Sequence, residues 1–168
     1  MAGSPLPLLF LDVDGPLIPF GATRQQLPDG YPTFGEPGPN PLLSRLDPSL
    51  GPRLRALPCE LVWATTWMSD ANEYVAPRLG LPELPLVDWP DPPLDEGTRG
   101  LHWKTPGLAQ CADGRPFAWV DDEITDVDRT WVEAYHPGQS LLHRVEAWQG
   151  LTGADFTTLE TWLRRNSP

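Results

Sequence analysis

Cysteine is scarce in this sequence. The two cysteines, Cys59 and Cys111, lie far apart and lack the spacing of a cysteine-rich metal site. A secreted scaffold held together by disulfides is therefore not expected. Both residues are most simply buried thiols of an intracellular protein, and we expect a cytoplasmic location.

Long apolar runs and positive charge are also lacking. No run approaches the roughly 18 apolar residues that a membrane-spanning helix needs, and no basic segment precedes an apolar core near the N-terminus. We expect neither a membrane span nor a signal peptide. Lys and Arg number 12 against 23 Asp and Glu, which gives a net charge of -11 and argues against an extended nucleic-acid-binding surface.

Proline and tryptophan, in contrast, are plentiful, with 22 and 8 residues in a chain of 168 whose hydrophobic content is 40%. This composition indicates a globular chain, and its length predicts one domain over residues 1–168. Segment 16–47 is rich in Gly and Pro and too long for a simple connector. We predict a semi-rigid flap over the mouth of a site. Its Tyr31 and Phe34 are candidates either for contacting a substrate or for pinning the loop to the core.

Apolar runs and helical patterns alternate along the chain. This alternation predicts a parallel sheet with helices on both faces. The predicted strands are 8–11, 60–64, 116–120 and 140–142, with a short edge strand at 84–87. The predicted helices cover 48–57 and 69–79, a short stretch through 108–111, a segment that ends before 136, and 156–163. Segment 89–100 is predicted to be loop.

The first strand ends in two carboxylates. In the sequence LLFLDVDGPL, residues 8–17, an apolar run is followed by Asp12 and Asp14, and then by Gly15, which lets the backbone turn away. If the strand continues, both carboxylates project to the same side and repel each other unless a cation or a proton lies between them. An ordinary turn also favours Asp and Gly, so this stretch alone fits either interpretation.

Two further predicted strands also end in polar residues. Thr65 and Thr66 follow the second strand, and Asp121 and Asp122 follow the third. Taken singly, these threonines fit capping or strand propensity, and Lys104 fits an exposed lysine. The carboxyl ends of parallel strands, however, meet at one edge of a sheet, where ligands bind. Acidic residues at two of these ends indicate a hard cation such as Mg²⁺, and a hydroxyl with a lysine suits a phosphoryl group.

These motifs together resemble the haloacid-dehalogenase-like (HAD) phosphatase superfamily. The match runs from Phe10 to Asp122. Within the superfamily, WATTWMSDAN at residues 63–72 and WVDD at 119–122 resemble the HAD domain of Swiss Army Knife RNA repair proteins and its standalone bacterial relatives. The resemblance implies a Rossmann-like three-layer α/β sandwich with a mainly parallel central sheet and a minimal cap or none. Pro16 departs from the threonine that many relatives carry after the glycine.

The resemblance also implies catalytic roles. Asp12 would be the nucleophile that forms an aspartyl-phosphate. Asp14 would protonate the leaving group and then activate water, while its backbone carbonyl binds Mg²⁺. Lys104 would neutralise the nucleophile and the transferring phosphoryl group.

Binding roles follow in the same way. Thr65, or alternatively Thr66, would hold a phosphoryl oxygen together with Lys104. Asp121 and Asp122 would complete the metal site that Asp12 and Asp14 begin, with Asp122 as the direct ligand.

The implied function is a Mg²⁺-dependent phosphomonoester hydrolase. Its substrate would be a phosphorylated metabolite or the phosphate end of a nucleotide or nucleic acid. Two alternatives stay open, namely a non-catalytic protein of the same fold that binds a phosphorylated ligand or a partner, and a phosphotransferase that passes the group to an acceptor other than water.

Overall fold

A four-stranded parallel sheet forms the centre of the molecule. The computed structural model describes residues 5–90 and 97–168. The strands are β1 (Leu8–Leu11), β2 (Glu60–Trp63), β3 (Phe117–Asp121) and β4 (Ser140–Arg144), in the order β2-β1-β3-β4. All pairs are parallel, which confirms the predicted α/β class. Strand β1 lies between two neighbours and is buried on both faces, which explains its uninterrupted apolar run.

Helices cover both faces of the sheet. They are α1 (Leu50–Arg55), α2 (Ala76–Leu79), α3 (Thr105–Ala112), α4 (Asp126–Tyr135) and α5 (Gly153–Arg165). Alternate residues of β1 belong to different cores: Leu9 and Leu11 pack with α1, α2 and α5, whereas Leu8 and Phe10 pack with α3 and α4. The result is a Rossmann-like three-layer arrangement, and none of the helices among the described residues has the length and apolar character to cross a bilayer.

The helix predicted at 69–79 is not a continuous α-helix. A π-helical turn, Ala71–Val75, precedes α2, and the N–H of Ala76 donates to the carbonyl of Ala71 five residues earlier. Pro77 lies in the first turn of α2, where the missing N–H of proline is tolerated. The wider π-helical turn therefore accommodates Pro77, and the helical segment continues into α2.

The predicted edge strand at 84–87 is reduced to a single bridge. Leu86 pairs with Trp63 of β2, because the N–H of Trp63 donates to the carbonyl of Pro85 and the N–H of Val87 donates to that of Trp63. Pro85 has no N–H to offer to a ladder, so the pairing does not extend. Part of the predicted loop at 89–100 lies outside the described residues.

Segment 16–47 contains regular structure that its composition hides. A 3₁₀ helix, Pro41–Arg45, buries Leu43, and Asn40 caps it. The hydroxyl of Tyr31 accepts from the N–H of Ala22 and donates to the carbonyl of Trp148 at 3.0 Å. For Tyr31 the structure therefore shows the pinning contact. A cavity of about 320 Å³ lies between this segment and the Trp148 turn, and Tyr31 and Phe34 are part of its wall.

The expectation that both cysteines are buried is wrong for Cys111. Its side chain is exposed near the end of α3, whereas Cys59 is half-buried and packs against the core beside β2. Burial raises the pKa of the Cys59 thiol to about 12, which makes it a poor nucleophile at neutral pH.

Candidate active site at the carboxyl edge of the sheet

Asp12 follows the last residue of β1 and lies at the centre of the carboxyl edge. The chain is still tied to the sheet here, because the N–H of Asp12 donates to the carbonyl of Val120 at 3.1 Å. Its side chain is almost fully buried, and Oδ1 accepts from the N–H of Val13 at 2.8 Å. The Nζ of Lys104 lies 3.3 Å from the same oxygen. A buried carboxylate is thus held in one orientation beside a fixed positive charge.

Lys104 is the only lysine in the chain, and its side chain is buried. It precedes α3 directly and reaches across the edge of the sheet. Nζ donates to Oδ2 of Asp121 at 2.8 Å and to the carbonyl of Ala64 at 3.0 Å. Burial by itself lowers the pKa of this amine, but the carboxylates of Asp12 and Asp121 outweigh it and raise the pKa above its ordinary value. The side chain therefore stays charged.

Three carboxylates are crowded together at this edge. Asp12, Asp121 and Asp122 each offer an oxygen, and these oxygens all lie within 4.8 Å of one another. Burial raises the pKa of Asp12 to about 7, and the charge of Asp121 adds to this against the opposing effect of Lys104. Burial and the charge of Asp121 raise the pKa of Asp122 to about 6. An all-oxygen site with excess negative charge fits a hard divalent cation.

Gly15 explains how Asp122 enters this group. Its φ of +99° is rare for residues with a side chain, and a Cβ there would lie 2.7 Å from Cγ and Oδ1 of Asp122. Both oxygens of Asp121 already accept hydrogen bonds, Oδ2 from Lys104 and Oδ1 from the N–H of Glu123 at 3.0 Å. The carboxylate of Asp122 is the more exposed of the two, which favours Asp122 as the direct ligand of a cation.

The Asp14 side chain is separate from the three carboxylates. Its Oδ2 accepts from Nε1 of Trp67 at 3.0 Å, and among the described residues it does not join the group that could share a cation.

The two predicted threonines also differ. Thr65 is buried, and its Oγ1 accepts from the N–H of Trp67 at 3.1 Å, whereas Thr66 is exposed. This bond uses a lone pair of Oγ1 and not the hydroxyl hydrogen. Thr65 can therefore still donate that hydrogen to a phosphoryl oxygen.

A buried carboxylate that the sequence analysis did not single out fixes the segment carrying Lys104. Oδ1 of Asp128 accepts from the N–H of His102 at 2.8 Å and from Oγ1 of Thr105 at 2.7 Å, on either side of Lys104. Its Oδ2 accepts from the backbone and hydroxyl of Thr125. The Thr-x-x-Asp spacing of this capping box is visible in the sequence, but the contact to a different helix is not.

The predicted residues thus meet in part: the structure brings together Asp12, Lys104, Asp121 and Asp122, places Thr65 at the neighbouring strand end, and directs Asp14 towards Trp67. In comparisons with protein-family models, curated proteins and solved structures, no match to this chain is found. The chemistry of the site therefore has to follow from its own residues.

A divalent cation should stabilise this protein, and the effect should grow with pH. In the unfolded chain the carboxyls of Asp12 and Asp122 titrate near 3.8, whereas in the folded chain their pKa values are about 7 and about 6. The folded metal-free protein therefore keeps protons that the unfolded chain has released, and it loses stability as the pH rises from about 4 through about 7. A cation replaces those protons, so MgCl₂ should raise the Tm more at about pH 8 than at about pH 5.

The matched variant for this measurement is Asp122→Ala. It should blunt both the rise in Tm with MgCl₂ and the fall with EDTA, whereas Asp126→Ala, an exposed carboxylate on α4, should leave both unchanged. A Tm that MgCl₂ and EDTA leave unchanged at every pH would rule out the cation site.

Proposed function

We propose that this protein is a Mg²⁺-dependent phosphomonoester hydrolase that acts through an aspartyl-phosphate on Asp12. The observation that carries this proposal is the pairing of Asp12 with Lys104 at 3.3 Å next to the carboxylates of Asp121 and Asp122. A nucleophilic carboxylate, a fixed cation and an acidic metal site are the three groups that this reaction requires.

The reaction divides into two displacements on phosphorus. In the first, an oxygen of Asp12 attacks phosphorus and the ester P–O bond breaks, while Asp14 gives its proton to the departing alkoxide. In the second, Asp14 takes a proton from water, the water oxygen attacks phosphorus, and the Asp12–phosphorus bond breaks to release phosphate. Lys104 stays charged and offsets negative charge beside Asp12 throughout, and the hydroxyl of Thr65 donates to a phosphoryl oxygen.

Magnesium would be held by Asp12 and Asp122, with Asp121 beside them and the Asp14 carbonyl as the resemblance implies. When bound, it would neutralise charge on the phosphoryl oxygens. The remaining tasks, which are nucleophilic attack, proton transfer and orientation of the phosphoryl group, fall to the side chains of this chain.

Hydrolysis of 4-nitrophenyl phosphate, measured with MgCl₂ and with EDTA, tests the proposal. We expect turnover with MgCl₂ and a large loss with EDTA. Added alcohol acceptors distinguish a hydrolase from a phosphotransferase, because a transferase would form the alkyl phosphate in preference to inorganic phosphate. If 4-nitrophenyl phosphate and a panel of natural phosphomonoesters all remain intact, the proposal fails and the non-catalytic alternative is favoured.

The hydrogen bond from Trp67 to Asp14 predicts a dependence on the leaving group. Trp67→Phe keeps an aromatic ring but removes the N–H that holds the Asp14 carboxylate. An alkyl phosphate needs the proton from Asp14 more than 4-nitrophenyl phosphate does, because an alkoxide is the poorer leaving group. We expect kcat/KM to fall about 10-fold for butyl phosphate, as for partial loss of general acid catalysis, and no more than about 2-fold for 4-nitrophenyl phosphate.

The control for this variant is Trp162→Phe. Trp162 lies on α5 and packs against the core that faces away from α3 and α4. The same chemical change there should alter the two rates by equal factors. Equal losses for Trp67→Phe would show that Trp67 only supports the fold.

A further inference from the structure

The aromatic rim of the site, formed by Trp89, His102 and Trp103, has no part in the reaction described above. We propose that this rim binds an uncharged planar aromatic ring in the leaving group of the substrate. The inference rests on the proposed function, because it concerns the ester that the same site would cleave. The observation that carries it is the exposure of Trp103, which is 43% although this residue directly precedes the buried Lys104.

Contacts on two sides hold Trp103 in place. Its ring is stacked on His102, with centroids 5.7 Å apart and planes at 28°, and the N–H of His102 is fixed by the buried Asp128. Trp89 meets Trp103 in an edge-to-face contact with centroids 5.0 Å apart, and Nε1 of Trp89 donates to the carbonyl of Thr65. A ligand that packs on such a surface has little side-chain motion to suppress, so the binding cost is low.

The rim lies within reach of the reacting phosphorus. The Nζ of Lys104 is 3.3 Å from Oδ1 of Asp12 and 5.8 Å from the centroid of the Trp103 ring. A phosphoryl group bonded to Asp12 therefore lies near the amine that faces the indole. With bonds of about 1.5 Å, a ring joined to the ester oxygen by one or two carbons spans that separation.

Charge around the rim indicates that the bound ring carries no phosphates of its own. Glu123 is exposed and lies 2.9 Å from Nε2 of His102, and Asp88 is exposed next to Trp89. The positive charge of Lys104, 5.8 Å from the centroid of the Trp103 ring, is already shared between Asp12 and Asp121. A polyanionic leaving group such as a polynucleotide would meet repulsion here, whereas an uncharged ring gains contact area and edge or face interactions.

Two esters with leaving alcohols of similar acidity test the inference: 2-phenylethyl phosphate, which carries a ring, and butyl phosphate, which does not. Trp103→Leu keeps apolar bulk but removes the indole. We expect kcat/KM to fall about 10-fold for 2-phenylethyl phosphate, as for loss of an aromatic pair, and to stay within about 2-fold for butyl phosphate. The matched control is Tyr135→Leu, which removes a 70% exposed aromatic residue that packs on Trp131 of α4 and should change neither rate.

Trp103→Phe retains a ring and should keep part of the preference, and it carries the test if Trp103→Leu does not fold. Equal losses for the two esters, or no loss with either variant, would overturn the aromatic subsite. A 5′-phosphorylated oligonucleotide hydrolysed as fast as 2-phenylethyl phosphate would overturn the requirement for an uncharged leaving group. If the wild-type protein hydrolyses none of these esters, the proposed function itself is contradicted. If it hydrolyses both esters and the Trp103 variants lose activity equally on both, only the aromatic subsite is contradicted.

Discussion

Replacement of Asp12 by asparagine should reduce turnover of 4-nitrophenyl phosphate by about 10³-fold or more, because an amide cannot form the aspartyl-phosphate. The amide nearly matches the carboxylate in shape and can still accept from the N–H of Val13. The fold should therefore persist. Removal of one of three crowded acidic groups also relieves repulsion with Asp121, so we expect no large fall in the metal-free Tm.

The control for this variant is Asp29→Asn, which makes the same chemical change at an exposed loop position. It should leave activity and Tm unchanged. Intact-protein mass spectrometry after acid quenching should detect the phosphorylated species in the wild type and not in Asp12→Asn. Hydrolysis by Asp12→Asn near the wild-type rate would contradict the nucleophilic role of Asp12.

Replacement of Lys104 by methionine should remove activity and also destabilise the protein. The amine compensates two buried carboxylates, Asp12 and Asp121, and the methionine leaves both without a cation. Loss of one partner of a buried ion pair costs about 3 to 5 kcal/mol of unfolding free energy. Urea denaturation in EDTA should reveal this loss. Because a bound cation compensates the same carboxylates, MgCl₂ should recover part of the stability but not the activity.

A double-mutant cycle separates the ion pair from simple packing. Asp121→Asn in the Lys104→Met background removes one of the two uncompensated charges, so the double variant should be more stable than Lys104→Met alone. If the losses from the two substitutions simply add, the amine contributes through its packing and the electrostatic account of Lys104 is wrong.

The convergence of Asp12 and Asp121 could be predicted from the sequence, because parallel strands bring their carboxyl ends to one edge of the sheet. Lys104 precedes a helix instead of ending a strand, and only the family resemblance pointed to its role. The direction of Asp14 could not. The backbone turns at Gly15 with a positive φ, and the indole that takes up the carboxylate lies 53 residues further on. Strand alternation places Asp12 and Asp14 on one side only while the strand continues, and β1 ends at Leu11.

Other differences have the same origin. The π-helical turn before Pro77 depends on how the chain accommodates a proline inside a helical pattern, and the role of Asp128 depends on a neighbouring helix. The helix propensity of the residues in each segment predicts neither the π-helical turn nor the contact of Asp128 with the neighbouring helix. Tyr31 likewise could be assigned only through its bond to Trp148, which is 117 residues away.

The burial of the only lysine also makes it a chemical reporter. Amine-selective acylating reagents need an exposed, deprotonated ε-amine, whereas Lys104 is 4% exposed and held between carboxylates. Acylation of Lys104 should therefore occur only when the carboxyl edge of the sheet opens, and its rate, read by peptide mass spectrometry, measures that opening. A substrate analogue that occupies the site should slow this labelling. Lys104, which compensates the charge of the carboxylates, would then also report how often the site is open.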